Sequence, residues 1–373
     1  MNITILEPFL SGSHQKWAEG YQAHSRHEVR ILSLKGRYWK WRMHGGAVSL
    51  AGQFAGGGSR PGLLLATDML DVAAFLGLTR KHTAGIPVAT YFHENQVTYP
   101  WSPADEDVSL RRDNHYGFIN YTSALASGRI FFNSHFHRRS FMDALPSFLG
   151  QFPDARGLHH VGDIQEKSSV LALGMALSSL DLAGKPVKHA EPTLLWNHRW
   201  EYDKAPEEFF NALFRLKAER IPFKLIVLGA SYEQSPEIFR TARHVLKEEI
   251  IHFGYTQSRQ QYARLLWQAD ILPVTSRQDY FGGSVVEAIY CNCFPLLPNR
   301  LAYPEHIPEK ERHRHLYENE EDFYAKLRDV ALNVRAIRQN AAFRHFVDRY
   351  DWSNLAAEYD EIFGQMASEA GNK

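Results

Sequence analysis

The chain has 373 residues, 44% of them hydrophobic, which is more than one ordinary core organises, so two domains are expected. Its 42 Lys and Arg balance 42 Asp and Glu; bulk charge excludes a generally basic or acidic protein, and any polyanion site must be a local patch. Two cysteines, Cys291 and Cys293, exclude a disulfide framework and a structural zinc cluster, and fit a reducing, cytoplasmic setting.

In chain order, short apolar runs alternate with helical patterns, as in α/β proteins with parallel sheets. The opening MNITILEPF lacks the basic-then-apolar order of a secretory signal, and no apolar run reaches the roughly 18 residues of a membrane span. The first strand, ITIL (3–6), runs into EPFLSGSHQKWAEGY. Gly12 and Ser13 form a turn before a helix starting near His14, which offers backbone amides to a phosphate or sugar hydroxyl. A plain strand–helix connection is the alternative, since G-x-G-x-x-G is absent. After VRILSL (29–34) comes KGRYWKWRMH (35–44), with Arg37, Lys40, Trp41 and Arg42, three interleaved aromatics and no acid. Cations for phosphates and rings for unpaired bases suit an RNA loop. An exposed helix start with two tryptophans packed inward would give the same pattern.

Strands LLLA (63–66) and PVATYF (87–92) follow, and the second ends in HENQVTYP. There His93 can donate to a sugar hydroxyl, and Glu94, beside Asn95, can accept from hydroxyls or pair with an amine. A histidine satisfied by neighbouring backbone is the alternative. RRDNH (111–115) can extend the basic character, and its Asp113, like Glu94, can pair with an amine. RIFFN (129–133) leads into NSHFHRRSF, where Asn133 can orient a ligand, Ser134 can cap a helix, and Arg138 and Arg139 suit either nucleic acid or a solvated face. SVLAL (169–173) closes this half, and LAGKPVKHAEP (182–192) reads as a linker.

The second half repeats the alternation with strands TLLWN (193–197), FKLIVLG (223–229), IIHFG (250–254), ILPV (271–274) and FPLLP (294–298), and helices at 205–219 and 258–269. Ligands of doubly wound sheets bind beyond the carboxyl ends of strands, so the loops there are the candidates. Arg199 and Lys204 follow TLLWN; as a fork and a point charge they can neutralise a diphosphate, or be ordinary surface cations. After ILPV comes TSRQDYFGGSVVEAIYCN. Gly282 and Gly283 let backbone approach a ligand, and helix amides near Ser284 bind phosphate oxygens. Asp279 and Glu287 flank that turn, placed to grip hydroxyls on either side of the phosphates. A molecule with hydroxyls at both ends and phosphate between is a nucleoside diphosphate sugar. SNLAAEYDEIFGQMASEA (353–370) reads as an amphipathic helix capped by Ser353.

Arg199, Lys204, Asp279 and Glu287, the last two separated by seven residues with a glycine turn between, resemble the family 4 retaining glycosyltransferases of GT-B fold. Asp279 stands where Glu is usual, which alters how the donor sugar is held. The segments EPFLSGSHQKW, KWRMH, ATYFHENQVTYP, FNSHFHRRSF, LLWNHRWEYDKAPEEFF and YFGGSVVEAIYCNCFPLLP are similar to the tRNA-queuosine α-mannosyltransferase family. The resemblance implies an α/β GT-B fold of two Rossmann-like domains facing a central cleft. Residues 1–183 would take the tRNA acceptor, 190–350 the nucleotide sugar, and 353–373 a helix returning to the first domain.

It implies transfer of mannose from GDP-mannose to queuosine in the anticodon of tRNA-Asp, without metal or cofactor. His93, Arg199, Lys204 and Asp279 would be catalytic. Arg199 and Lys204 would bind the diphosphate, and Phe281, Gly282, Gly283 and Ser284 would receive phosphate and sugar. Glu287 would hold the ribose, Tyr255 in FGYT would lie by the base, and Gly12 and Ser13 would close over the phosphate. Arg37, Lys40, Trp41, Arg42, Glu94, Asn95, Asn133, Arg138 and Arg139 would face the tRNA. The competing expectations are a family 4 enzyme with another nucleotide sugar and a saccharide acceptor, or a non-catalytic binder of nucleotide sugar or RNA.

Overall fold

The structure is a computed structural model and describes residues 1–101, 107, 114–181, 186–230, 235–339 and 343–371. The chain forms two compact units, Met1–Met175 with Trp352–Lys373, and Ala176–Asp351.

The first unit runs β1 (Asn2–Leu10), α1 (Gly12–His24), β2 (Glu28–Lys35), α2 (Trp39–Ala55), β3 (Leu63–Thr67), α3 (Val72–Thr83), β4 (Val88–Phe92), α4 (Asn114–Ala126), β5 (Arg129–Phe132), α5 (His135–Gly150), α6 (His160–Glu166) and β6 (Ser168–Val170). Its six parallel strands are ordered β2-β1-β3-β4-β5-β6. Every residue of β3 and β4 is buried, so these strands are continuous apolar runs instead of alternating ones. Side-chain caps start two helices: Asp71 accepts from Ala74 N at α3, and Ser134 from His137 N at α5.

The second unit runs β7 (Thr193–Asn197), α7 (Pro206–Ala218), β8 (Lys224–Leu228), α8 (Ile238–Val245), β9 (Ile250–Gly254), α9 (Arg259–Gln268), β10 (Ile271–Pro273), α10 (Gly283–Tyr290), β11 (Phe294–Pro298), β12 (Leu316–Tyr317) and α11 (Glu320–Leu332). The order is β12-β11-β10-β7-β8-β9. Pro206 opens α7, Glu207 and Glu208 fill its first turn, and Arg215 and Lys217 its last, all in accord with the helix dipole. Phe209, Phe210, Leu213 and Leu216 carry its apolar face into a core with Trp196 and Leu225.

The C-terminal helix α12 (Trp352–Gly371) belongs to the first unit. Trp17 Nε1 donates to the Tyr359 hydroxyl at 3.1 Å, and Tyr21 donates to Asp360 at 2.8 Å. Arg26 N donates to the other Asp360 oxygen. The Trp352 ring lies so close to Gly20 and Gly174 that a Cβ at either would sit 2.0 and 2.4 Å from it. Ser353 lies inside the helix, not before it; the apolar anchor Trp352, not the hydroxyl, opens the element.

In each sheet the chain reverses its winding beside its first strand: between β1 and β3, and between β7 and β10. Loops leaving the carboxyl ends of those strands diverge and leave a crevice for ligand.

Candidate active site

In the second unit that crevice is bounded by the loops after β7 and β10. Lys204 is buried, with Nζ 2.6 Å from the Gln278 carbonyl, 3.1 Å from Asp203 and 3.8 Å from Asp279. Three acceptors make burial of the ammonium tolerable. Asp279 also accepts from the Tyr303 hydroxyl at 3.2 Å. Burial pushes its carboxyl up, but Lys204, with further help from His198 and Tyr303, holds it below the ordinary range. Gly282 has φ +85° and precedes α10, and a Cβ there would lie 3.0 Å from the Tyr303 ring. Only glycine fits this approach without strain.

His198 is buried against the same helix start, with Nδ1 3.4 Å from Ser284 Oγ. Its Nε2 has no hydrogen-bond partner among the described residues. Burial, reinforced by Lys204, pulls its imidazole down to about 3, so it is neutral at physiological pH. Gly229, at φ +119°, passes so close that a Cβ would fall 2.0 Å from the His198 carbonyl oxygen. Arg199 differs from Lys204: its side chain is 51% exposed and pairs with Glu201 at 3.1 Å.

Glu287 lies one turn into α10. Its carboxylate is 2.8 Å from Arg259 and accepts from the Tyr262 hydroxyl at 2.6 Å. Asn197, the last residue of β7, donates to Tyr262 and to the Ser284 carbonyl, both at 2.9 Å. Arg259 also reaches Ser179 Oγ and the Ala176 carbonyl. The sequence had singled out neither Asn197, His198, Arg259 nor Tyr262. The first two stand at a strand end, the position that drew attention to His93; Arg259 and Tyr262 passed as part of an amphipathic helix face. Phe281 is buried and packs on His306 and Tyr350. Tyr255 follows β9, the edge strand farthest along from the reversal point, is 68% exposed, and joins none of these bonds.

In the first unit the corresponding loops gather a second cluster. His93 follows β4; its N donates to Asp68 at 2.8 Å, and its carbonyl accepts from Asn133 at 2.8 Å. Its Nε2 has no partner among the described residues. The His14 ring lies 4.1 Å away and Trp17 stands edge-on. His14 Nδ1 is 2.9 Å from Glu7, whose second oxygen accepts from Phe9 N. Burial pulls the His14 imidazole down, but Glu7, aided by Asp68 and Glu94, more than compensates, raising it to about 9. His93 goes the other way: burial, then the charges of His14 and His137, hold it well below the ordinary value. Burial raises the Asp68 carboxyl. Gly12, at φ +55°, and Ser13 are exposed at the start of α1, with open space where a Gly12 Cβ would be.

Three residues expected to face the acceptor make internal hydrogen bonds. Asn133 is spent on the His93 carbonyl and on His137 Nδ1. Asn95 accepts from Val97 N and Thr98 N, closing its own turn. Arg138 donates to the Ser168 and Gln165 carbonyls. Glu94 is half-buried and accepts from Gln96 Nε2, and Arg139 is exposed. Glu7, His14 and His93 are the one group of three metal-capable side chains found among the described residues, within 4.8 Å of one another. A proton shared between Glu7 and His14 already accounts for their contact.

The basic-aromatic stretch falls at the start of α2. Tyr38 adopts φ 56° and is 72% exposed, Arg37 stands over its ring, and Trp41 is 62% exposed. Trp39 packs on Trp101 and Tyr116, so only one tryptophan turns inward. Lys40 pairs with Asp107 and caps the Trp39 and Trp101 rings, and Arg42 donates to the Lys35 carbonyl. Asp113 lies outside the described residues.

Residues 2–175 match the family model described as tRNA-queuosine alpha-mannosyltransferase N-terminal, and residues 181–342 match Glycosyl transferases group 1. A Drosophila melanogaster protein named tRNA-queuosine alpha-mannosyltransferase is 31% identical to this chain, over 99% of this chain and 98% of its own length. The chain belongs to the tRNA-queuosine alpha-mannosyltransferase family. As a member of that family it is a glycosyltransferase. Its fold is shared with a sucrose-phosphate synthase from Thermosynechococcus elongatus (TM-score 0.69, 13% identity, 99% of this chain and 100% of the other). It is shared too with a UDP-forming trehalose-phosphate synthase from Burkholderia xenovorans (TM-score 0.65, 12% identity, 99% of each). At such identity these similarities bear on architecture alone, and that architecture is the GT-B one expected from the sequence. Among the described residues, no helix of this family member is long and apolar enough to cross a membrane.

Proposed function

We propose that the protein transfers mannose from GDP-mannose to queuosine in the anticodon of tRNA-Asp, in the cytoplasm, with retention at the anomeric carbon. The observation that carries this is the full-length similarity to a protein of that name. The chemistry of the second unit supports it.

The diphosphate lies against the α10 N-terminus, Arg199 and Lys204. Each cation is paired with carboxylates, Arg199 with Glu201 and Lys204 with Asp203 and Asp279. An incoming diphosphate competes for the same charge. Glu287, oriented by Arg259 and Tyr262, holds the ribose, and Asp279 holds sugar hydroxyls. The bond from the anomeric carbon to the β-phosphate oxygen breaks as a bond to the acceptor hydroxyl forms on the same face. The acceptor proton passes to the departing phosphate oxygen. Fixed cations and amides stabilise the charge that develops there, which is the work a metal does elsewhere. His93 contacts the sugar, and Arg37, Tyr38 and Trp41 meet phosphates and unpaired bases of the tRNA.

The test is incubation of purified protein with labelled GDP-mannose or UDP-glucose and tRNA with or without queuosine. Label from GDP-mannose entering only queuosine-containing tRNA is expected. Transfer to a saccharide, or donor hydrolysis indifferent to tRNA, would refute the acceptor, and no turnover would refute catalysis.

A further inference from the structure

The cluster at the carboxyl ends of β1, β3 and β4 contains more than the transfer reaction has used. We propose that Glu7 and His14 are positioning residues for His93: Glu7 keeps His14 cationic, and the His14 ring, lying against His93, keeps that imidazole neutral and fixed in one orientation. The proposal rests on the mannosyl-transfer reading for what His93 does, but not for the state of the three side chains.

The geometry is built for it. Both Glu7 oxygens are committed, one to Phe9 N at 2.8 Å and one to His14 Nδ1 at 2.9 Å, so the carboxylate cannot turn away. The His14 and His93 rings are 4.1 Å apart and tilted by 35°. His93 is clamped through its backbone by Asp68 and Asn133, and its ring by the Trp17 edge. Two imidazolium ions this close would repel strongly in a buried site. At most one of the pair therefore holds a proton, and the neighbours decide which. His14 is faced by Glu7 from β1, Asp68 from the loop after β3, and Glu94 and His93 from the loop after β4. His93 is faced by His14 and by His137 of α5, with the uncharged rings of Trp17 and Tyr91 beside it. The Glu7 carboxylate, bonded to His14 Nδ1, thus favours the proton on His14, and His93 retains a neutral ring whose buried Nε2 has no partner among the described residues. Splitting two like groups in this way is how a site assigns one a charge and leaves the other free to bond at physiological pH.

The experiment uses the full chain with labelled histidines, followed by NMR through a pH titration, for the native protein and for Glu7→Gln and His14→Phe. Phenylalanine keeps a ring against His93 and removes the charge. Native His14 should lose its proton near pH 9 while His93 stays neutral through the ordinary histidine range. In both variants His93 should titrate at higher pH than in the native chain. Turnover of both should acquire an acid limb, falling about tenfold more than native at pH 6, with the GDP-mannose KM within about twofold. Unchanged His93 titration in both variants, or an activity loss equal at every pH, would overturn the proposal. So would native activity that a chelator abolishes and zinc restores, since a metal would then link the three side chains. The NMR arm needs no substrate: a native protein that transfers no mannose sinks the proposed function and leaves this result to be decided separately.

Discussion

In the proposed reaction, donor handling turns on Lys204. It is buried, saturated by three acceptors, and shares Asp279 with Tyr303. Replacing it by Met should lower kcat by about 100-fold or more, because a preorganised charge in a dry site cannot be supplied by water. Arg199→Ala should also lower kcat by roughly 100-fold, with activity partly recovered by added guanidinium, because its exposed position admits solute. Steady-state turnover at saturating GDP-mannose measures both; unchanged turnover removes the residue from the account. His198 adds a pH signature. Its folded-state value, about 3, lies below the ordinary 6.5, so the unfolded chain takes up the proton first. The second unit should therefore lose stability as pH falls from about 6.5 towards 3, and Asp279, whose value is also depressed, adds a further loss below its ordinary 3.8. Urea midpoints at pH 7 and 4.5 should differ less in His198→Leu. The sequence already placed His93 and Lys204 on loops after strands and Glu287 on the helix that follows the glycine turn, and the structure has them there. The bonds of Asn133 and Arg138 to backbone carbonyls were not legible, since a sequence does not tell which carbonyls an amide or guanidinium will meet.

Among the elements, α10 and α12 bear most directly on function and folding. Gly282 sits at φ +85° before α10 with the Tyr303 ring 3.0 Å from any added Cβ. Gly282→Ala should cost about 1–2 kcal/mol from the left-handed backbone alone. It should also weaken GDP binding, because the helix amides shift with the turn; calorimetric titration of GDP reads this directly. In α12, Trp352 is fully buried and packs on Tyr21 and Tyr359. Trp352→Ala should destabilise the first unit by about 3–5 kcal/mol, seen as an early transition in thermal melting. Eleven of the twelve strands among the described residues could be read from apolar runs. The twelfth, Leu316–Tyr317, has two residues, too few to carry a pattern; it exists because β11 offers it an edge. The start of α12 was misplaced for a related reason: a serine reads as a cap until tertiary packing draws the preceding tryptophan into the helix.

For the whole molecule, parallel strands alternating with helices made two α/β halves visible without any structure. The return of α12 to the first unit is a tertiary fact, set by where Trp352, Tyr359 and Asp360 find partners. Overall neutrality means that the proposed tRNA affinity has to come from local patches such as the α2 start. Binding should weaken steeply with salt, by a slope set by the number of phosphates neutralised, and Trp41→Ala should weaken it by about 1–3 kcal/mol through lost stacking. The most direct test of the central claim is a crystal structure with GDP. A diphosphate is expected against the α10 N-terminus, its oxygens in contact with Lys204 and Arg199 and the ribose on Glu287. GDP bound elsewhere, or there with both cations still paired to their carboxylates and turned from the phosphates, would contradict it.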